Sequence, residues 1–188
     1  MATIYEKAGL RRVINASGRM TALGVSTIHD ETGKAMVEAA QNYVVIDELI
    51  DRVGELLCPF TGAEGTCVTA NTSAAICLSI AAVMTGPNLD LVEKIPDTTG
   101  LKNQVIIQKG HCVNYGAPVT QMIRTVGAIP VEVGCANKVD KANIIGAIND
   151  KTAALMYVKS HHCVQKGMVS LEDMIRIAHD HGLPLIID

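Results

Sequence analysis

From residue 65 onward, short runs that are almost wholly apolar alternate with stretches of helical character, and this alternation constrains the chain more than any other feature. Residues 65–70, 105–107, 129–133, 154–158 and 185–187 read as strands, and residues 72–85, 117–126, 141–149 and 170–181 as helices. The last helix is punctuated at both ends. Ser170 suits its N-cap, Asp173 its third position and Gly182 its C-terminal stop. A strand with one wet face alternates apolar and polar residues; these strands do not, so both faces must be covered. A helix between each pair of strands makes the connections crossovers and the sheet mainly parallel. The fold class is therefore α/β, a mainly parallel sheet flanked by helices. Ahead of it, residues 30–57 form a long helical stretch with a break near Asn42 and Tyr43, ended by Pro59. Residues 1–60 are expected to be an N-terminal helical segment, and residues 61–188 part of a larger α/β domain.

Composition narrows the function classes. Hydrophobic residues make up 48% of the 188-residue chain and charged residues 19%, which argues for a packed domain and against disorder. With one Phe, four Tyr and no Trp, aliphatic and small side chains must fill the core. A net charge of −3 without any Lys/Arg run gives no nucleic-acid surface. The richest apolar run, Ala74 to Met84, is too short to span a bilayer and contains Ser79. Residues 1–7 lack a signal peptide's basic and apolar regions. The six cysteines show no CxxC spacing, and Cys67 and Cys77 lie in apolar runs that suit buried thiols. A reduced, soluble, cytoplasmic protein is expected.

Ligand-contacting residues of open α/β sheets lie just past the carboxyl ends of strands. Four candidates sit there. Asn71, Thr72 and Ser73 open a helix rich in small residues, where free N–H groups suit a phosphate; the simpler reading is a helix cap. His111, in a loop after the second strand, offers a ring that could lie flat on a planar group, with Tyr115 as its rival. Lys159-Ser160-His161-His162-Cys163 is a polar loop; adjacent histidines seldom point at one ion, so no metal site is expected. Asp188 is a carboxylate at a strand end. Four such groups around one crevice make the parts of a pyridoxal-phosphate site: phosphate cradle, flat ring, polar loop and a carboxylate to keep the ring nitrogen protonated.

At these residues the chain resembles fold-type I pyridoxal-phosphate enzymes, whose large domain is of the aspartate aminotransferase-like type. The opening Leu10-Arg11-Arg12-Val13-Ile14-Asn15-Ala16-Ser17-Gly18 is similar to the start of the selenocysteine synthase-like family. Leu23-Gly24-Val25-Ser26 and the run Tyr43 to Leu49 continue the likeness, nearest to its D-glucosaminate-6-phosphate ammonia-lyase-like members. The resemblance implies that Asn71, Thr72 and Ser73 hold the phosphate, that His111 stacks on the ring and that Asp188 pairs with its nitrogen. It also implies Ser160 or His161 near the phenolic oxygen. Asn15, Ser17 and Arg19 would line the site of a small anionic substrate, across a homo-oligomer interface. The family's Schiff-base lysine lies beyond its aspartate, so Lys109, Lys159 and Lys166 do not take that role.

The chain stops straight after an apolar strand that would normally feed another helix, so the domain is expected to be partial and the chain alone inactive. The implied reaction is β-elimination from an amino-sugar acid phosphate, giving a 2-keto acid and ammonia. The alternatives are a seryl-tRNA selenium transferase, which the charge disfavours, a non-catalytic phosphate-ligand-binding fragment, and a fragment used only for assembly.

Overall fold

A computed structural model describes residues 2–188. Its strands, β1 (Gln104–Gln108), β2 (Ile129–Val133), β3 (Thr152–Tyr157) and β4 (Leu185–Ile187), form one sheet in the order β2-β1-β3-β4. Every neighbouring pair is parallel. The non-alternating apolar runs have the meaning expected of them. In β1, Val105 and Ile107 join one apolar cluster while Ile106 joins the other; past them in β3, Met156 and Leu155 divide the same way. Successive side chains of a strand point to opposite faces, so each run feeds two cores at once.

The first face is covered by α4 (Thr72–Thr85) and α6 (Val119–Thr125), through Ile76, Ile80, Val119 and Ile123. The second is covered by α7 (Lys141–Ala147) and α8 (Leu171–Asp180), through Ile144, Met174 and Ile177. In α8 the inward residues Met174, Ile177 and Ala178 recur at the three-and-four spacing of one helical face. Each fully buried Ile, Leu or Met stabilises by about 1.5–3 kcal/mol.

Two compact units divide the chain, one up to Cys67 and the other Val68–Asp188, which holds the sheet. The first comprises α1 (Ile4–Lys7), α2 (Asp30–Ala40) and α3 (Ile46–Thr61). The break between α2 and α3 falls where Asn42 and Tyr43 predict it. Pro59, expected to end the helix, lies inside α3. The helix ends at Gly62, whose φ of 71° lets its N–H reach Cys58 O at 2.8 Å. Gly54 is required where it stands, since a Cβ there would lie 2.6 Å from Thr66 O.

Residues 65–70 are not a strand in the structure. A strand exists only as a rung of a ladder, and this segment lies outside the four-stranded sheet, so its β-propensity finds no expression. Cys67, expected among buried thiols, is exposed, while Cys77 is half-buried against the first core. An unpredicted helix, α5 (Leu89–Lys94), begins at Asn88, whose side chain accepts from Asp90 N at 3.0 Å.

Candidate active site

Three chain segments leave the carboxyl edge of the sheet together. β4 runs into Asp188, whose N–H donates to Tyr157 O at 2.9 Å and whose carbonyl accepts from Lys159 N at 2.7 Å. The aspartate backbone is thus held in the β3–β4 ladder. On its side chain, Oδ2 accepts a 2.8 Å hydrogen bond from the Tyr115 hydroxyl. Tyr115 rides on a tight loop between His111 and α6. That loop is closed by an antiparallel bridge between Asn114 and Pro118 and by Val119 N to Val113 O at 3.0 Å. Gly116 makes the turn at φ 118°, a conformation open to glycine. Partial burial, and then the Asp188 carboxylate, push the Tyr115 phenol above its ordinary range, so it is a neutral donor.

His111 differs from its expected setting. The chain turns at once after β1 through residues Lys109–His111, which folds the imidazole inward, where it is fully buried. Its ring meets Tyr157 edge to face at 4.5 Å, and Nδ1 accepts from Val158 N at 3.2 Å. It therefore presents no open face on which a planar ligand could stack. Because Nδ1 is an acceptor, the single proton of the neutral ring sits on Nε2, which is buried and has no partner. Desolvation lowers the pKa from 6.5 to about 4, so the ring is uncharged at neutral pH. Burial also pushes the neighbouring Cys112 thiol up to about 12, helped by the Glu132 charge, which removes it as a thiolate nucleophile.

The loop after β3 is fastened at several points. Gln108, wholly buried at the end of β1, donates to Val169 O at 3.1 Å and accepts from Val169 N at 2.7 Å. Tyr157 donates to Gln165, which in turn donates to Val158 O. Gly110 lets the loop close down, since a Cβ there would lie 2.7 Å from Met168 Sδ and 2.9 Å from Ala136 O. On this platform Ser160 and His161 line a cavity of about 510 Å³ with Tyr157, Met168 and Leu171. The last three residues belong to the α8 side of the sheet. The sequence shows neither glutamine as a site residue; an amide closing an otherwise apolar strand is the signal by which Gln108 could have been found.

Asn71, Thr72 and Ser73 open α4 on the opposite face. The Asn71 side chain caps the helix, accepting from Ala74 N at 2.8 Å. The N–H groups of Thr72 and Ser73 lie at the positive end of a 14-residue helix with no acceptor among the described residues. Asn15 is engaged locally, donating to Gly18 O and accepting from Ser17 N. Arg19 is exposed and has no ion pair among the described residues. Of the expected residues the structure therefore gathers Asp188 with the Tyr115 loop at the sheet edge, with the α4 start and the Ser160–His161 cavity attached to the two flanking layers. Among the described residues no group of three or more His, Cys, Asp or Glu could hold a metal, and no helix is long and apolar enough to cross a membrane.

Over 185 residues the chain is 48% identical to D-glucosaminate-6-phosphate ammonia lyase of Salmonella typhimurium, covering 98% of this chain and 50% of that protein. A solved structure of a D-glucosaminate-6-phosphate ammonia-lyase superimposes on the whole chain with a TM-score of 0.97 and 47% identity, over 51% of its own length. Alanine aminotransferase from Pyrococcus furiosus shares the fold, with a TM-score of 0.55 at 20% identity, over 97% of this chain and 46% of its own. The chain thus spans about half the length of the relatives it matches. The model of the L-seryl-tRNA selenium transferase family matches residues 13–188, and the chain belongs to that family.

Proposed function

We propose that the protein is a pyridoxal-phosphate-dependent lyase that removes water and ammonia from an amino-sugar acid phosphate of the D-glucosaminate-6-phosphate kind. The observation that carries this reading is the 48% identity, sustained over nearly the whole chain, to a lyase of that name. The family's other activity, selenium transfer on a charged tRNA, is less favoured, because a net charge of −3 suits a small anionic substrate better than a polyanion.

The donor set fits the cofactor. The N–H groups of Thr72 and Ser73 supply unengaged donors at a helix start for its phosphate. Asp188 offers an acceptor carboxylate at the edge of the sheet for the protonated ring nitrogen. His111 stands outside this donor set, since its ring is fully buried between Val158 N and Tyr157. Ser160 and His161 are placed in the reading near the phenolic oxygen. The cofactor when bound provides a sink for the electron pair left at the substrate Cα. This chain's residues hold and orient: the α4 start fixes one end of the ligand and Asp188 keeps a proton on the other. Asn15, Ser17 and the exposed Arg19 guanidinium are assigned to the substrate's anionic groups. A cytoplasmic homo-oligomer completes the reading.

The test is ammonia release from D-glucosaminate 6-phosphate by a protein that continues this chain to the length of its relatives, supplied with pyridoxal phosphate. Equal amounts of ammonia and a 2-keto acid are expected; a folded, cofactor-loaded protein that releases neither overturns the reading. For the present chain alone, the cofactor is expected to bind saturably yet leave no adduct after borohydride treatment, since none of Lys109, Lys159 and Lys166 is assigned as its covalent partner.

A further inference from the structure

We propose that Tyr115 is a positioning residue for Asp188, holding carboxylate oxygen Oδ2 so that Oδ1 is turned toward the ring nitrogen of the cofactor. The inference rests on the pyridoxal-phosphate reading above and adds to it a residue that reading does not require.

Four observations carry it. Asp188 has its backbone pinned on both sides by β3, through Tyr157 O and Lys159 N, so the carboxylate keeps only its side-chain rotations. One of its two oxygens, Oδ2, is taken by Tyr115 at 2.8 Å, and Oδ1 has no partner among the described residues. A two-point restraint of this sort, backbone and one oxygen, fixes the direction of the remaining oxygen. The Tyr115 hydroxyl also suits the task chemically. It donates one proton without bringing a charge, so it orients Asp188 without neutralising the carboxylate, as a lysine or arginine would. Finally, the donor is itself built in. The 73-residue separation between the partners is bridged by a loop whose ends are tied at Asn114–Pro118 and Val113–Val119, and whose turn needs Gly116. Tyr115 is 39% exposed, so its hydroxyl is not there to fill a core.

The test compares two ligands and two substitutions by direct binding titration. The ligands are pyridoxal phosphate and the analogue in which carbon replaces the ring nitrogen; the substitutions are Tyr115→Phe and Asp188→Asn. Tyr115→Phe is expected to weaken pyridoxal phosphate by about five- to tenfold, the worth of one hydrogen bond. It should leave the analogue, and competition by inorganic phosphate, unchanged. In the Asp188→Asn background, Tyr115→Phe should have no further effect on either ligand. Equal weakening of both ligands would assign Tyr115 to packing and overturn the inference, as would no weakening at all. If the unsubstituted protein holds both ligands equally well, Asp188 does not meet the ring nitrogen. That outcome removes the cofactor reading and this inference with it, and it differs visibly from failure of the inference alone. Unchanged circular dichroism of each variant guards against loss of fold.

Discussion

The two compact units of this chain are built from similarly apolar sequence, yet only one of them has an interior. In Val68–Asp188 the central strands are sealed from water: Val105, Ile106, Ile107, Leu155 and Met156 are all fully buried. Up to Cys67, Gly54 is the one buried position among the described residues. The helix α3 has Ile46, Leu49, Ile50, Val53, Leu56 and Leu57 at the three-and-four spacings of an apolar stripe, as α8 has Met174, Ile177 and Ala178. In α8 the stripe is covered by the sheet. In α3 Leu49 remains 43% exposed and Phe60 87% exposed. An amphipathic pattern therefore states that a face wants cover, and does not state where the cover comes from. The sheet unit carries its cover in its own sequence; the helical unit does not.

The largest effects are expected in the sheet unit. Met156→Ala, fully buried near the carboxyl end of β3, should destabilise the chain by about 2–5 kcal/mol, measured by urea unfolding monitored through far-ultraviolet circular dichroism. A loss below about 1 kcal/mol would mean that β3 does not close the core under α4 and α6. Next comes Gln108→Leu, close in volume and apolar. It strands both backbone groups of Val169 inside the protein and should cost about 1–3 kcal/mol. If Gln108→Leu were neutral, the loop after β3 would be held by Gly110 and Gln165 instead.

His111 gives a smaller, pH-dependent signature of the same interior. Its pKa falls from 6.5 in the unfolded chain to about 4 in the folded one, because burial disfavours the charged ring. Between those values the unfolded chain binds the extra proton, so stability must fall as the pH is lowered from 6.5 toward 4, by up to about 1.4 kcal/mol per pH unit. Above pH 6.5 the group is silent. Substituting His111 by Gln should flatten this acid limb, read from unfolding midpoints at pH 4.5, 5.5 and 7.

How much of this could be seen in the sequence follows the same division. The strands that pair were legible, because runs such as Gln104–Gln108 and Thr152–Tyr157 are apolar without alternation and only a doubly covered sheet uses such runs. Residues 65–70 also read as an extended apolar run and are not a strand, because a strand is defined by its pairing and this segment lies outside the four-stranded sheet. The place of Asp188, just past β4 at the carboxyl edge of the sheet, was legible from the apolar run before it. The burial of His111 was not, since a turn directly after β1 decides whether that side chain faces out or in. The Tyr115–Asp188 hydrogen bond was beyond reach: its partners stand 73 residues apart, and no local pattern links them.

The smallest effect is the one that separates the two units most cleanly. Leu49→Ser removes an apolar side chain from the stripe of α3 where water already reaches it. In dilute chain the cost should therefore be no more than about 0.5 kcal/mol, in the range of ordinary surface substitutions. The proposed homo-oligomer makes a further demand. If a second copy covers this stripe, the unsubstituted chain gains stability as its concentration rises, by mass action, while Leu49→Ser gains less. The gap between the two should then widen from tenths of a kcal/mol at nanomolar chain toward the about 1.5–3 kcal/mol of a buried leucine at high concentration. Thermal unfolding across a thousandfold range of concentration measures it. A gap that stays small and constant means that the stripe of α3 is not where copies meet, and the missing cover must come from another part of the protein; a gap that is large even when dilute would show that the helical unit has an interior after all.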